Sequence, residues 1–256
     1  MSKLYDNPKY YEIAFSFREI YHEVDVFEEA IKKFSRIPVK RVLEIGCGNS
    51  PHLEELIKRG YEYIGIDLSK AMIRYSQKKA STIRGSAKFV CANMVNFSLK
   101  TKVDFAYILL GSLYVKNSKE FISHFNSVSK VLKKGGLYFL DGCIQFTPST
   151  RYSESWEIEH KGIKVKTTYS TQIVNSLEKT FEEVILLNVN DKGKTKKIVE
   201  RTIKHSIYPQ EFLFFIANRK DFEFVGWWNN WNLSKPLQGT EKISRPIAII
   251  RKTSHI

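Results

Sequence analysis

Two glycines and two acidic residues form the first candidate site. They lie in the string Glu44-Ile45-Gly46-Cys47-Gly48-Asn49-Ser50, which follows a short β-rich segment, and in the string Gly65-Ile66-Asp67. Gly46 and Gly48 permit a sharp turn and let a ligand approach the main chain closely. Asp67 lies 19 residues after Gly48, at the end of the second predicted strand. A carboxylate placed there can accept hydrogen bonds from the two hydroxyls of a ribose.

Three ligand classes are candidates for this glycine loop. A phosphate-binding P-loop requires the pattern GxxxxGK[ST], which the chain does not contain. A dinucleotide fingerprint requires a third glycine where this chain has Pro51, and a pyrophosphate would be repelled by the Glu44 carboxylate. A ligand with cationic groups and a ribose but no phosphate fits better, and S-adenosylmethionine is such a ligand.

Strands and helices alternate around the loop. A first helix is predicted between residues 20 and 34, where apolar residues recur at three- and four-residue spacing. Strands are predicted at 41–45, 63–67, 88–92, 105–110 and 137–141, with helices near 53–57, 69–80 and 119–132. Strand–helix alternation with short connections predicts a parallel sheet with right-handed crossovers.

The pattern changes after Ile144. Residues 153–207 alternate apolar and polar positions with period two, which predicts an antiparallel sheet of three or four strands, exposed on one face. A helix near 210–218 and strands near 222–228 and 247–250 complete the chain. The predicted fold class is α/β, with a Rossmann-like, mostly parallel seven-stranded sheet, helices on both faces, and a small antiparallel lobe inserted after strand five. We expect one domain over residues 1–256, divided into a helical cap (1–37), a cofactor-binding core (38–145), an antiparallel substrate lobe (146–208) and a closing segment (209–256).

Taken together, the motifs of residues 38–145 resemble those of the class I S-adenosylmethionine-dependent methyltransferases. The acidic residue and x-G-x-G of the family's first motif are similar to Glu44–Gly48, and the family's second acidic residue resembles Asp67. The segment Leu132-Lys133-Lys134-Gly135-Gly136 resembles the family's L-x-x-G-G turn before strand five. The third motif departs from the family pattern, because Asn93 stands where an acidic residue often contacts the adenine amine. The resemblance implies S-adenosylmethionine as cofactor and methyl transfer as the reaction.

The resemblance also implies which residues contact the cofactor. The glycine loop would surround the methionine portion, Leu68 and Met72 would border the adenine, and the Asn93 oxygen would accept a hydrogen bond from its amine. The segment from Tyr5 to Arg18 resembles the family's lid, although ordinary helix packing is an alternative role for its aromatic residues. In the lid interpretation Tyr11 closes over the cofactor and Arg18 pairs with its carboxylate. The predicted cofactor-binding set is Tyr11, Arg18, Glu44, Gly46, Cys47, Gly48, Asp67, Leu68, Met72, Asn93, Met94 and Leu110.

The loop Leu110-Gly111-Ser112-Leu113-Tyr114 follows strand four, at the sheet edge where open α/β folds bind their ligands. It lacks the N/D-P-P-Y/F string of methyltransferases that act on nucleobase amines. It is more similar to the Ser-Leu or Ser-Ile loop of small-molecule enzymes of the glycine and amino-sugar N-methyltransferase kind. We therefore expect methyl transfer to N or O of a small-molecule acceptor. Tyr114 and His205 are weak candidates for a general base.

The formal net charge of +14 keeps a macromolecular acceptor open as an alternative. The string Gly46–Ser50 also resembles a group of protein-lysine methyltransferases. Six cations between Lys192 and Lys204 could contact RNA phosphates, and a solvated, Lys-rich surface is the competing interpretation. A protein that binds S-adenosylmethionine without catalysis is a further alternative.

Composition limits the remaining classes. No apolar run reaches the roughly 18 residues of a membrane helix. Three scattered cysteines favour a reducing cytoplasm, and the six histidines form no metal-binding pair. We expect a cytoplasmic monomer or homodimer with no metal and no membrane partner.

Overall fold

The computed structural model describes residues 3–147 and 151–253. Its helices span Pro8–Ala14 (α1), Ile20–Phe34 (α2), Leu53–Lys58 (α3), Lys70–Ala80 (α4), Ser118–Val131 (α5) and Pro209–Ala217 (α6). Its strands span Arg41–Ile45 (β1), Glu62–Asp67 (β2), Ala87–Cys91 (β3), Val103–Ile108 (β4), Leu132–Asp141 (β5), Arg151–His160 (β6), Ile163–Asn175 (β7), Thr180–Asp191 (β8), Lys194–His205 (β9), Phe222–Asn229 (β10) and Pro246–Lys252 (β11). In the part of the chain so described, no helix is long and apolar enough to cross a membrane.

The larger sheet has seven strands in the order β10-β11-β5-β4-β1-β2-β3. Strands β1 to β5 pair in parallel, β11 pairs antiparallel with β5, and β10 pairs antiparallel with β11. Apolar residues of α2 and α3 cover one face, and those of α5 and α6 cover the other. The predicted α/β fold class is confirmed. Burial on both faces explains why β4 is apolar at almost every position.

Two predicted strand boundaries were wrong, and both errors lie at glycine-containing turns. β4 ends at Ile108 instead of residue 110, because Leu110 has a φ of +54° and leaves the extended conformation. β5 begins at Leu132 instead of residue 137, and Gly135, with a φ of +84°, lies inside it. Val103 of β4 pairs with Leu132 of β5, and Phe105 pairs with Leu137, so the register shifts across the glycines. The predicted glycine turn is therefore an irregularity within a paired strand.

The smaller sheet has four antiparallel strands in the order β6-β7-β8-β9. Its inner face packs on the N-terminal segment, residues 3–17, through Leu4, Ile13 and Ala14. On its outer face Ser155, Thr168 and Lys166 are at least partly exposed, so the predicted one-sided burial is correct. The sheet and the N-terminal segment therefore form a wall beside the carboxyl edge of β4 and β5.

Candidate functional site

The glycine loop follows β1 at the carboxyl edge of the large sheet. Gly46 and Gly48 have φ values of +69° and +50°, a conformation that favours glycine. A Cβ atom on Gly46 would lie 3.4 Å from the Met94 side chain, and one on Gly48 would lie 3.8 Å from the Tyr11 ring. β1 lies between β4 and β2, at the point where the strand order reverses. Open α/β sheets bind their ligands at this switch point.

Cys47 shapes the loop through its backbone. Its N–H donates to the Ile66 carbonyl oxygen at 2.9 Å, and its side chain is buried. Burial raises the pKa of the Cys47 thiol well above its ordinary value, so the side chain stays neutral. A contact from Cys47 to a ligand would therefore involve main-chain atoms.

Asp67 links the end of β2 to the glycine loop. Its Oδ2 accepts the Gly48 N–H at 2.9 Å, and its Oδ1 accepts the Ser69 N–H at 2.7 Å. Burial raises the pKa of the Asp67 carboxyl, and these backbone hydrogen bonds oppose that effect. Each oxygen keeps a lone pair, so the carboxylate can still accept the two ribose hydroxyls for which it was predicted.

Glu44 lies behind the loop, with both oxygens held by other protein groups. The Tyr63 hydroxyl donates to its Oε2, and His52 Nδ1 lies 3.4 Å from its Oε1. The side chain is buried. Because the carboxylate is buried and directed at Tyr63 and His52, Glu44 would act on a ligand mainly through its negative charge.

Arg18 has a partner within the protein. Its guanidinium forms a buried ion pair with Glu23 of α2, and its Nη2 lies 3.2 Å from His52 Nε2. A buried guanidinium needs a permanent counter-charge, which Glu23 supplies. Only Nη1 is left without a partner among the described residues, so the predicted pairing with the cofactor carboxylate would depend on that atom.

Two residues predicted to contact the adenine lie exposed just beyond the paired ends of β2 and β3. Leu68 is 68% exposed, an unusual state for a leucine next to a buried strand, and Asn93 is also exposed. The Asn93 Oδ1 already accepts the Val95 N–H at 2.9 Å, so one of its two lone pairs remains. Met72 is fully buried, and its predicted place beside the adenine stays a prediction. Met94 is partly buried against the core.

The N-terminal segment covers the loop and joins it to the small sheet. Tyr11 lies over Gly48, and burial raises the pKa of its phenol to about 12. Glu12 accepts hydrogen bonds from Tyr75, Lys79 and the Asn49 side chain beside the loop. On the other side, Trp156 of β6 donates from Nε1 to the Ala14 carbonyl oxygen at 2.7 Å. This bridging position supports a lid, which stays a prediction.

The loop after β4 is held in a constrained conformation. Leu110 and Gly111 both have positive φ, at +54° and +62°. Asp141 accepts the Leu110 N–H at 2.9 Å through Oδ2, and Lys204 donates to the Gly111 carbonyl oxygen at 2.6 Å. A non-glycine residue held at positive φ is a feature that clusters at functional sites. We call residues 110–114 the donor loop.

A cavity of about 940 Å³ extends from the donor loop to the inner face of the small sheet. Aromatic rings and carboxylates line much of it, and Phe15 and Phe17 of the N-terminal segment close one side. Its walls include Gly111, Tyr152, Trp156, Tyr169, Glu183 and Lys204. The volume is that of a site for one small molecule.

The two predicted general bases differ in position. Burial raises the pKa of the Tyr114 phenol well above its ordinary value, with Glu183 and Tyr5 adding to the effect, so Tyr114 is protonated at neutral pH. His205 lines the cavity, and its Nδ1 lies 3.0 Å from the Glu178 carbonyl oxygen. That contact assigns the proton to Nδ1 and leaves Nε2 beside Ser118, at 3.4 Å. Neither geometry identifies a base.

Several cations of the predicted basic cluster at residues 192–204 have partners within the protein. Lys204 is buried beside Glu183, Arg201 pairs with Glu182, and Lys196 donates to the Asn7 side chain. Three of the six cations therefore hold the structure together. Within residues 3–147 and 151–253, no group of His, Cys, Asp or Glu is arranged to hold a metal ion.

Sequence reasoning missed the residues that build the cavity wall, above all Glu183, Lys204 and Trp156. The period-two pattern contained the necessary signal, because Glu183, Glu200, Thr202 and Lys204 occupy inward positions of β8 and β9 beside apolar ones. Charged residues at inward positions indicate a site. The strand register, which the sequence does not specify, was needed to place them together.

The described residues fit S-adenosylmethionine. Asp67 can receive its ribose, the exposed Leu68 can contact its adenine, and the positive-φ glycines leave the main chain open to its methionine portion. Glu44 supplies negative charge close to the loop, as a cationic ligand requires.

Residues 42–136 match the family model described as methyltransferase domain. A protein of Geobacillus sp. (strain WCH70) is 30% identical over 115 residues, which cover 44% of this chain and 47% of that protein. The YqeM protein of Bacillus subtilis (strain 168) is 32% identical over 103 residues, covering 40% of this chain and 41% of that protein. Both carry the provisional name of methyltransferase. The matches span less than half the length of either relative.

Solved structures resemble nearly the whole chain. An S-adenosylmethionine-dependent methyltransferase from Clostridium acetobutylicum superimposes with a TM-score of 0.77 at 15% identity, covering 96% of each chain. A sugar N-methyltransferase from Streptoalloteichus sp. gives 0.74 at 15% identity, covering 99% of this chain and 94% of that one. An amino pentose methyltransferase from Micromonospora echinaspora gives 0.70 at 18% identity, covering 95% and 96%. At these identities the likeness shows the fold alone, and the sequence match makes residues 42–136 similar to the methyltransferase domain family.

Proposed function

We propose that this chain transfers a methyl group from S-adenosylmethionine to the amine nitrogen of a small molecule. The observation that carries the proposal is the cavity of about 940 Å³ between the donor loop and the small sheet. It begins at Gly111, where the methyl group would be presented, and ends at walls supplied by the same chain. Its volume is within the range of sites that bind one small molecule.

An amine acceptor is supported by the cavity lining. Trp156, Tyr152 and Phe15 present aromatic rings, and Glu154 and Glu183 present carboxylates. Rings and carboxylates both attract an ammonium group. Two structures with the same fold are described as sugar N-methyltransferase and amino pentose methyltransferase, which makes an amino sugar the first acceptor to try.

The cofactor, when bound, supplies an electrophilic methyl group on a sulfonium. The protein would contribute mainly orientation and the exclusion of water. Phe15 and Phe17 of the N-terminal segment close the cavity from one side, and Lys204 holds the Gly111 carbonyl at 2.6 Å. Tyr114 would keep its proton and act as a hydrogen-bond donor, because burial raises the pKa of its phenol.

The test is a methyl-transfer assay with S-adenosylmethionine carrying a labelled methyl group. The acceptors are a set of amino sugars, the matching sugars with hydroxyl in place of amine, bulk tRNA and a protein mixture. We expect label in the amino sugars and little in their hydroxyl counterparts. Label only in tRNA or protein, or in no acceptor while the cofactor binds, would contradict the proposal.

A further inference from the structure

Glu183 projects from β8 into the cavity wall and is held by three side chains. Its Oε1 accepts a hydrogen bond from the Tyr114 hydroxyl at 3.1 Å. Its Oε2 accepts one from the Tyr169 hydroxyl and one from Lys204 Nζ, each at 3.0 Å. The residue is only 5% exposed. Its carboxylate therefore has one orientation, directed by neighbours on three different elements.

Lys204 connects this carboxylate to the donor loop. The same Nζ that pairs with Glu183 donates to the Gly111 carbonyl oxygen at 2.6 Å and lies 4.7 Å from the centre of the Tyr114 ring. Glu183 is thus fixed relative to the residues beside which methyl transfer would take place. The pair also links the small sheet to the cofactor-binding core.

The carboxylate has one acceptor position to spare. An ionised carboxylate offers about four lone-pair positions, and Glu183 uses three of them. Oε2 has two donors and Oε1 has one, so the open position is on Oε1. A buried ion pair gains little stability over an apolar pair of similar size, so stability alone does not account for a charge at this place.

The other charges around the cavity are matched differently. Asp141 accepts the Leu110 N–H at 2.9 Å and is held by Arg245 through two hydrogen bonds, at 2.9 and 2.8 Å, so a guanidinium meets both of its oxygens. Glu154 is exposed and accepts from the Tyr152 hydroxyl. Glu183 is the buried carboxylate of this wall whose Oε1 has no cationic partner among the described residues.

We propose that Glu183 receives the amine of the acceptor and makes the site selective for amines over neutral molecules of the same shape. Lys204 holds the carboxylate in place and partly compensates its charge. This inference rests on the proposed function, because it concerns the acceptor of the same reaction.

The test measures equilibrium binding of two probes, benzylamine and benzyl alcohol, to the full chain saturated with S-adenosylhomocysteine at pH 7. The probes share a ring that suits the aromatic walls and differ in the ammonium group. We expect wild type to bind benzylamine at least about tenfold more tightly, the size of one charge-assisted hydrogen bond. Equal affinities for the two probes would overturn the inference. No turnover is measured, so a failure of methyl transfer leaves this result unaffected.

Two substitutions should change the preference, which is the ratio of the Kd for benzyl alcohol to the Kd for benzylamine, in opposite directions. Glu183→Gln should bring this ratio close to one. Lys204→Met should increase it, because the carboxylate loses its compensating cation. A general distortion of the cavity would weaken the binding of both probes and leave their ratio unchanged. Retention of the preference by Glu183→Gln would overturn the inference.

The control variant is Glu182→Gln, the preceding residue of the same strand, which pairs with Arg201 on the outer face. Its preference should equal that of wild type. If either single variant fails to fold, the double variant Glu183→Gln/Lys204→Met removes both buried charges together, and its preference should be close to one. A double variant that still prefers benzylamine would contradict the inference.

Discussion

Arg245 and Asp141 form a two-point ion pair beneath the donor loop. Arg245 Nε and Nη2 donate to the two Asp141 oxygens at 2.9 and 2.8 Å, and Asp141 is fully buried. The same Asp141 oxygen that meets Nη2 accepts the Leu110 N–H. The start of β11 therefore controls the conformation of a loop that follows β4.

Loss of the Arg245 side chain should destabilise the protein and the donor loop together. Arg245→Ala leaves the Asp141 carboxylate buried without its counter-charge, so we expect a loss of about 3 kcal/mol in the free energy of unfolding. Urea denaturation measures this loss. Arg201→Ala, which breaks the exposed pair with Glu182, should cost less than about 1 kcal/mol. Equal losses in the two variants would show that the Asp141–Arg245 pair contributes no more to the free energy of unfolding than an exposed ion pair does.

Glu23 should make stability depend on pH in the acidic range. Burial alone would raise the pKa of Glu23, but the hydrogen bonds from His52 and Arg18 outweigh it and lower the pKa to about 2. A carboxyl with a depressed folded-state pKa stabilises the fold above its unfolded pKa of about 4.5 and loses that effect as pH falls through about 2.

Glu23→Gln should therefore destabilise the protein by about 3 kcal/mol at pH 7. The difference from wild type should narrow as pH falls below about 4.5, as urea titrations from pH 7 to pH 3 would reveal. Glu19→Gln, an exposed residue just before α2, serves as the control and should follow wild type. A difference that stays constant with pH would mean that Glu23 is not ionised in the folded protein.

Glu12 should couple the N-terminal segment to the cofactor. It bonds to Tyr75, Lys79 and Asn49, which lie on the cofactor-binding core. Glu12→Gln should raise the Kd for S-adenosylmethionine about tenfold, as loss of a charge-assisted hydrogen bond would. Asp191→Asn loosens the same segment on the small sheet, where Asp191 accepts from Tyr10 and Lys9, and should change that Kd less than about twofold. If both variants raised this Kd equally, the contacts of Glu12 would have no specific part in cofactor binding.

The positive charge should not produce strong RNA binding. Lys204, Arg201 and Lys196 of the basic cluster already have protein partners. We expect any tRNA binding at 50 mM salt to be lost by 200 mM salt, as non-specific phosphate contacts are. Electrophoretic mobility shift at the two salt concentrations measures this. Binding that persists at the higher salt would favour the RNA alternative.

The sequence predicted the sheet more completely than the site. Strand and helix periodicity located β1 and the Ser69 cap of α4, where Ser69 accepts the Met72 N–H, because these features depend on neighbouring residues. The partner of Arg18 was not predictable, since Glu23 reaches it only through the packing of α2 against the loop. Glu183 and Lys204 meet across two strands, and their pairing depends on a register that only the folded sheet specifies.

The glycine loop and Asp67 should together hold S-adenosylmethionine, and calorimetric titration of the cofactor into the protein measures this binding. Wild type should bind one equivalent per chain. Asp67→Ala should lose detectable binding, and Asp67→Asn should weaken it while retaining an acceptor for the Gly48 N–H. Asp25→Ala, which removes a carboxylate paired with Arg59 on α2, should bind as wild type does. Absence of binding by wild type, or unchanged affinity in a folded Asp67→Ala variant, would show that this site does not hold the cofactor.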